Sequence, residues 1–265
     1  MTGWDDPEVA AYYEAFCTSH SRYQRANAVL VARAGIKPGM RLLDLAAGTG
    51  RTTEPALRRL GVGGAVLCVE SSACMRAQGM RRVRDPRVAW RAELPDERGS
   101  FDRILCGAAI WQMAPLEPLF KTLAELLKTG GALCFNIPAL YLMEGEESGG
   151  GSDPLLLELP GLLMESCGES SCDGHERLDA RAPLTRDRID AELAATGLHA
   201  VEWSFHTRMS QHAYASWLKI PATTNRLLAT LSPAERARQI DLASSFVDRG
   251  SWKRERWRGW TAWKR

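Results

Sequence analysis

The sequence predicts an α/β fold with a doubly wound, mostly parallel sheet, and two observations carry that prediction. Short apolar runs alternate with segments of helical periodicity along most of the chain, the pattern of strands joined by crossover helices. The first run, Arg41-Leu42-Leu43-Asp44-Leu45-Ala46, enters a glycine turn, Ala47-Gly48-Thr49-Gly50, and then a helical segment from Thr53 to Leu60. A strand–turn–helix corner of this kind is where open α/β sheets bind ligands.

The remaining elements follow in order. Ala65 to Val69 is a second buried strand, with Glu70 at its tip. Pro86 to Trp90 reads as the third strand and Phe101 to Gly107 as the fourth. Leu116 to Leu127 has helical spacing and runs into Lys128-Thr129-Gly130-Gly131, read as a cationic last turn and a glycine stop. Ala132 to Ile137 is the fifth strand. Thr185 caps a helix through Ala195, Gly197 ends it, and Val201 to Arg208 is the sixth strand. In the closing run Trp252 to Arg265, alternation places Trp257, Thr261 and Trp263 on one face of a seventh strand. Arginines interleaved with tryptophans also suit nucleic acid. A net charge of +2 lacks the wide basic surface that phosphate binding needs.

The turn decides the ligand class. Gly48 and Gly50 let the backbone bend and expose its N–H groups. Glu70, 20 positions past Gly50, is placed to accept both ribose hydroxyls of an adenosine. A dinucleotide fingerprint wants a third glycine where Thr53 stands. Asp44, ahead of the glycines, repels a pyrophosphate and suits an ammonium or sulfonium charge. No Gly-Lys-Ser or Gly-Lys-Thr follows, so a P-loop is absent.

Asp44-x-Ala46-x-Gly48-x-Gly50 with Glu70 resembles the class I S-adenosylmethionine-dependent methyltransferases. The resemblance covers most of residues 36–138 and, more weakly, 184–265. It implies a Rossmann-like seven-stranded sheet with the last strand antiparallel, and S-adenosyl-L-methionine as cofactor. Carried over residue by residue, it makes Asp44, Ala46, Gly48, Gly50 and Glu70 cofactor contacts. Ser71-Ser72-Ala73-Cys74-Met75 is similar to the family's acid–x–Ser–x–x–Met run, which adds Ser71 and Met75, the latter near the adenine. Cys106-Gly107 stands where the family makes backbone contacts to the methionine part. One departure concerns the adenine. The family's acid, four residues before a Leu-Pro, is here Trp90, followed by Arg91 and Ala92, with Glu93 next to Leu94-Pro95. Two readings of Trp90 stand open: its ring stacks on the adenine, or it packs as strand core.

The expected organisation is a single domain over 1–265: an N-terminal helical cap at 1–35, the cofactor core at 36–138, a lid insertion at 139–183, and the C-terminal part of the sheet with its helices at 184–265. In the family such a cap closes over the cofactor and lines the acceptor pocket. Here it carries Tyr12, Tyr13, Phe16 and Tyr23. The insertion begins with a glycine- and glutamate-rich stretch, Glu144 to Ser152, and continues into the leucine-rich run Leu155 to Met164. A lid over the pocket accounts for both features, and a dimer contact accounts equally for the leucines.

Composition agrees with one α/β enzyme. At 265 residues and 45% hydrophobic content the chain can build a full sheet core. Its seven cysteines form no Cys-x-x-Cys pair, and the strand cysteines Cys68, Cys106 and Cys134 read as small apolar core residues. Cys167, Cys172 and His175 fit no common zinc spacing, so no metal is expected. The polar, acidic N-terminus is no secretory signal, and no apolar run approaches a bilayer span. The expectation is a cytoplasmic monomer or homodimer with no nucleic-acid or membrane partner.

Methyl transfer from a sulfonium is an in-line displacement in which the protein mainly positions the nucleophile. A hydroxyl acceptor gains from a base. His20, in the cap, is preferred over His175, His199, His206 and His212. Gln112 and Tyr141 stand past the fourth and fifth strands, on the crevice side, as hydrogen-bonding candidates. Cys106-Gly107-Ala108-Ala109 lacks the Asn/Asp-Pro-Pro-aromatic run of amino-nitrogen enzymes. No Pro-Cys nucleophile appears for cytosine, nor an acidic cluster for a metal-dependent catechol enzyme. What remains is an apolar small molecule facing Trp111, Met113, Leu140 and Met143. An enol or phenol of a bacterial natural product is the expected acceptor, with carbon methylation of the quinone-biosynthesis type and a non-catalytic cofactor-binding protein as alternatives.

Overall fold

A computed structural model describes residues 3–113, 115–142, 159, 163, 184–224, 228 and 231–265. Most of the expected lid lies outside the described residues, including Met143, Cys167, Cys172 and His175. Leu159 and Leu163 within it are buried.

The described elements run in chain order as α1 (Pro7–Ser19), α2 (Arg22–Arg33), β1 (Arg41–Leu45), α3 (Thr53–Leu60), β2 (Ala65–Val69), α4 (Ala73–Arg82), β3 (Val88–Arg91) and β4 (Phe101–Gly107). A 3-10 turn, Ile110–Met113, leads to α5 (Leu116–Leu126) and β5 (Leu127–Pro138), and a second, Ala139–Tyr141, follows β5. After these come α6 (Arg186–Ala195), β6 (Leu198–Ser210), α7 (Gln211–Leu218), α8 (Pro221–Thr224), α9 (Pro233–Ser245) and β7 (Trp252–Lys264). The seven strands form one sheet in the order β3-β2-β1-β4-β5-β7-β6. Pairing is parallel from β3 through β5, and β7 runs antiparallel to β5. The fold is the Rossmann-like sheet that the sequence predicts, with the reversal at its last strand.

Pleating explains the core. Successive side chains of a strand point to opposite faces, so Leu42 and Leu43 feed two apolar layers. One holds Leu43, Ile104, Phe120, Phe135 and Trp260; the other holds Leu42, Leu30, Leu57, Leu60, Val66 and Leu105. β1 is buried on both faces, as parallel central strands are. Asp44 pairs in register with Cys68 on one side and Leu105 on the other, which places a carboxylate at the centre of the sheet.

Helix starts follow local capping chemistry. The Met75 N–H donates to Ser72 Oγ at 3.1 Å at the start of α4, and the Arg188 N–H donates to Thr185 Oγ1 at 3.2 Å at the start of α6. One expectation needs correction. Helix α5 stops at Leu126, because Leu127 turns extended (φ −71°, ψ 140°) to pair with Phe101. Gly130, at φ +76°, therefore lies within β5 rather than closing the helix. In β7, Trp257 and Thr261 are buried and Trp263, on the same face, is 38% exposed. Trp260, on the opposite face, is fully buried and stacks on Phe135, since a strand covered on both sides buries both sets of side chains.

The chain divides into two compact units. One comprises Tyr23–Glu146, Arg181–Phe205 and Arg256–Arg265; the other comprises Met1–Arg22, Glu147–Ala180 and His206–Glu255. The second contains a buried ion pair, Arg22 with Glu255 at 2.5 Å, with Thr207 Oγ1 donating to the same carboxylate at 3.1 Å. The Arg22 guanidinium lies over the Trp217 ring. Among the described residues, no helix is long and apolar enough to cross a membrane.

Candidate functional site

The site is built at the ends of β1, β2, β4 and β5, all within the first unit. Beyond β1, the backbone turns left-handed at Ala46 (φ +51°), Gly48 (φ +55°) and Gly50 (φ +80°). The Gly50 N–H closes the turn on the Ala47 carbonyl at 2.8 Å, and the Ala47 N–H ties it to Val69 of β2 at 3.1 Å. Gly50 has no room for a side chain, since a Cβ there would lie 2.6 Å from Val83 Cγ2. At Gly48 the same atom would only touch the Met75 methyl at 3.5 Å, so its backbone angle sets the requirement. Ala46 adopts its angle at a cost of about 1 kcal/mol, a strain of the kind that collects at functional turns.

Two acids face this turn. Asp44 is 1% exposed. Thr53 Oγ1 donates to its Oδ2 at 2.6 Å, while Oδ1 is buried with no hydrogen-bond partner. Burial pushes the Asp44 carboxyl up to about 7; the Thr53 hydrogen bond opposes this and the Glu70 charge adds to it. A buried carboxylate oxygen lacking a donor is stabilised by a cationic group brought against it. Glu70, also buried, accepts the Gly48 N–H on Oε2 at 2.8 Å and the Ser72 N–H on Oε1 at 2.9 Å. A carboxylate is an acceptor at both oxygens and suits hydroxyl donors. These residues fit an adenosine carrying a positive charge: a diol acceptor at the tip of β2 and an unsatisfied anion at the tip of β1.

Met75 is buried beside Gly48, and Ser71 is exposed, its carbonyl accepting from Arg76 Nη1 at 3.2 Å. Trp90 is partly buried. Its ring lies against Gly79 of α4, where any Cβ would overlap it, and 3.5 Å from a Cβ at Gly50, with its indole N–H buried and unpartnered. Arg91 and Ala92 are exposed at the end of β3, Arg91 pairing with Glu97 at 3.6 Å. The Cys106 thiol is buried and pushed up by burial first and by the Asp44 charge second, which makes it a packing group rather than a nucleophile.

At the end of β4 the structure gathers residues that sequence reasoning missed. A Cβ at Gly107 would stand 2.6 Å from Thr52 Oγ1 and 2.8 Å from Asn27 Oδ1. Asn27, Thr52 and Asn136 are all buried. Ala108 is the second non-glycine residue at positive φ, +57°. Isolated buried polar residues carry no spacing pattern, so no motif signals them. Past Ala108, the Trp111 ring stacks on Tyr141 with centroids 3.7 Å apart, and Trp111 Nε1 donates to the Ala108 carbonyl at 3.2 Å. Gln112, next along the turn, is exposed. The candidates Gln112 and Tyr141 thus flank one aromatic wall at neighbouring strand ends.

His20 belongs to the other unit, where its ring meets His212 edge-on at 5.4 Å. Burial, and then the His212 charge, lower its pKa. His199 and His206 stand 3.3 Å from Arg265 and Arg254. Among the described residues no three His, Cys, Asp or Glu side chains gather in a way that could hold a metal ion.

Comparison with known proteins agrees with this geometry. Residues 42–131 match the family model described as a methyltransferase domain. A ubiquinone/menaquinone biosynthesis C-methyltransferase, UbiE, of Bordetella parapertussis is 30% identical over 112 residues, covering 40% of this chain and 43% of that protein. The chain thus aligns with less than half the length of this relative. In architecture it is similar to the YcgJ protein of Bacillus subtilis (TM-score 0.59, 15% identity, 91% of this chain and 99% of that one). It is also similar to a geranyl diphosphate C-methyltransferase of Streptomyces coelicolor (TM-score 0.52, 17% identity, 95% and 83%). Residues 42–131, the stretch that holds the glycine turn and the paired acids, are thus similar to a methyltransferase domain, and the sheet around them shares its architecture with these structures.

Proposed function

We propose that the chain transfers the methyl group of S-adenosylmethionine to an enol or phenol oxygen of an apolar small molecule, a bacterial secondary metabolite, without a metal. S-adenosylmethionine is the cofactor, and it supplies an electrophilic methyl carbon on a sulfonium. The chain's own residues bind and orient. Asp44 offers its unpaired oxygen to the positive charge, Glu70 takes the ribose hydroxyls, and the turn of Ala46, Gly48 and Gly50 admits the ligand close to the backbone. Ser71, Met75, Arg91, Ala92 and the Cys106-Gly107 backbone border the same ligand in this reading.

One observation carries the acceptor class. The stacked pair Trp111–Tyr141 makes a flat apolar wall beside an exposed Gln112, at the strand ends next to the turn. Flat apolar walls with a few polar groups suit an aromatic or conjugated ligand. An enol or phenol is acidic enough to react with positioning and hydrogen bonds alone, from Gln112 and the Tyr141 hydroxyl. A second reading, methylation at carbon, is favoured by the Bordetella relative, which is named a C-methyltransferase. The same conjugated anion offers a carbon nucleophile to the same wall.

Incubation with methyl-labelled cofactor and a panel of apolar hydroxylated metabolites, in the presence of EDTA, tests this. The expected product carries the label on oxygen. Label on carbon selects the second reading, and abolition by EDTA contradicts metal independence. Tight cofactor binding without transfer to any member favours a non-catalytic protein. The His20→Ala variant, assayed alongside, is expected to lose rate at neutral pH and above, where the wild-type ring is unprotonated, if His20 is the base, and to be unchanged if the acceptor arrives as its anion.

A further inference from the structure

We propose that Asn136 is a positioning residue, which holds Ala108 in its left-handed conformation and so sets both the Gly107 backbone and the Trp111–Tyr141 wall. Asn136 lies in β5 and is fully buried. Its Oδ1 accepts the Ala108 N–H at 2.8 Å, and its Nδ2 donates to the Ala26 carbonyl of α2 at 3.1 Å. Its chain neighbours Phe135 and Ile137 are apolar core residues, so an amide here is costly unless bonded on both sides. The side chain meets that condition by joining α2 to the turn after β4.

Ala108 needs such a constraint. At φ +57° a residue with a Cβ is strained and keeps its angle only where its surroundings over-determine it. Asn136 grips the Ala108 N–H, and Trp111 Nε1 grips the Ala108 carbonyl at 3.2 Å. On the other side, Thr52 and Asn27 fill the space that a side chain at Gly107 would take. One buried amide therefore fixes the residue between the cofactor side of the turn and the ring that stacks on Tyr141. The catalytic consequence rests on reading Trp111 and Tyr141 as the acceptor wall. The test uses ring geometry and cofactor-product binding, which stand whatever the acceptor proves to be.

The full-length Asn136→Ala variant is measured by calorimetry with S-adenosylhomocysteine and by near-ultraviolet circular dichroism, with Trp111→Phe identifying the signal of the stacked pair. Loss of that signal and roughly tenfold weaker binding are expected, the scale of one hydrogen bond. Adding Ala108→Gly, which adopts the left-handed angle without strain, is expected to restore both. Wild-type behaviour of Asn136→Ala overturns the proposal, and so does a loss that Ala108→Gly fails to rescue, which marks a packing role. Where Asn136→Ala does not fold, Ala108→Val makes the same angle unfavourable with Asn136 intact. It is expected to lose signal and affinity alike, and unchanged values overturn the proposal.

Discussion

The Glu70 carboxylate takes the Gly48 N–H at 2.8 Å, so the acid at the tip of β2 and the glycine turn after β1 form one structure. Its other oxygen takes the Ser72 N–H at the head of α4. Glu70→Ala leaves two backbone donors without their partner and is expected to cost about 1–3 kcal/mol of stability. Glu70→Gln retains one acceptor and should cost less. Urea unfolding of the two variants checks the order; equal stability with wild type would show that the turn stands without Glu70.

Asp44 predicts a pH dependence. Its carboxyl titrates at about 7 in the folded protein, and a sulfonium or ammonium prefers the ionised form. Cofactor affinity should therefore fall as pH drops from 8 to 6, and binding at pH 7 should release a proton, visible as a buffer-dependent heat. Asp44→Asn should bind weakly with no such dependence. Stability without ligand runs the other way. The folded value lies above the unfolded carboxylate value of 3.8. The contribution of this group is thus fully present below pH ~4 and lost as pH rises through about 7.

Ala46 stores strain at φ +51°. Ala46→Gly should relieve it and raise stability by about 1 kcal/mol, while Ala46→Val should lower it by more. Thermal unfolding measures both, and a destabilised Ala46→Gly would contradict the strain.

Trp90 and Gly79 interlock, since any Cβ at 79 would overlap the indole. Gly79→Ala should destabilise by about 1–3 kcal/mol as overpacking does, and a second change, Trp90→Leu, should recover part of that loss. Cofactor binding by Trp90→Phe is expected to match wild type. A large loss of affinity in that variant would favour the adenine-stacking reading.

What the sequence made legible was local. Asp44, the glycine turn and Glu70 sit on consecutive strands, so a motif of 27 residues contains the whole arrangement. Thr185 announced α6 through its own hydroxyl. Asn136 and Ala108 were silent because their bond spans two strands with no spacing rule. The Lys128-to-Gly131 stretch misled because Leu127 found a strand partner in Phe101, and pairing outweighed the helix-stop signal.

The central claim is that the turn and its two acids hold S-adenosylmethionine. Calorimetric titration of the wild-type chain with S-adenosylmethionine, and separately with NAD, tests it most directly. Saturable one-to-one binding of S-adenosylmethionine is expected, at least about tenfold weaker in Glu70→Ala, with no binding of NAD. Saturable binding of NAD with none of S-adenosylmethionine would contradict it.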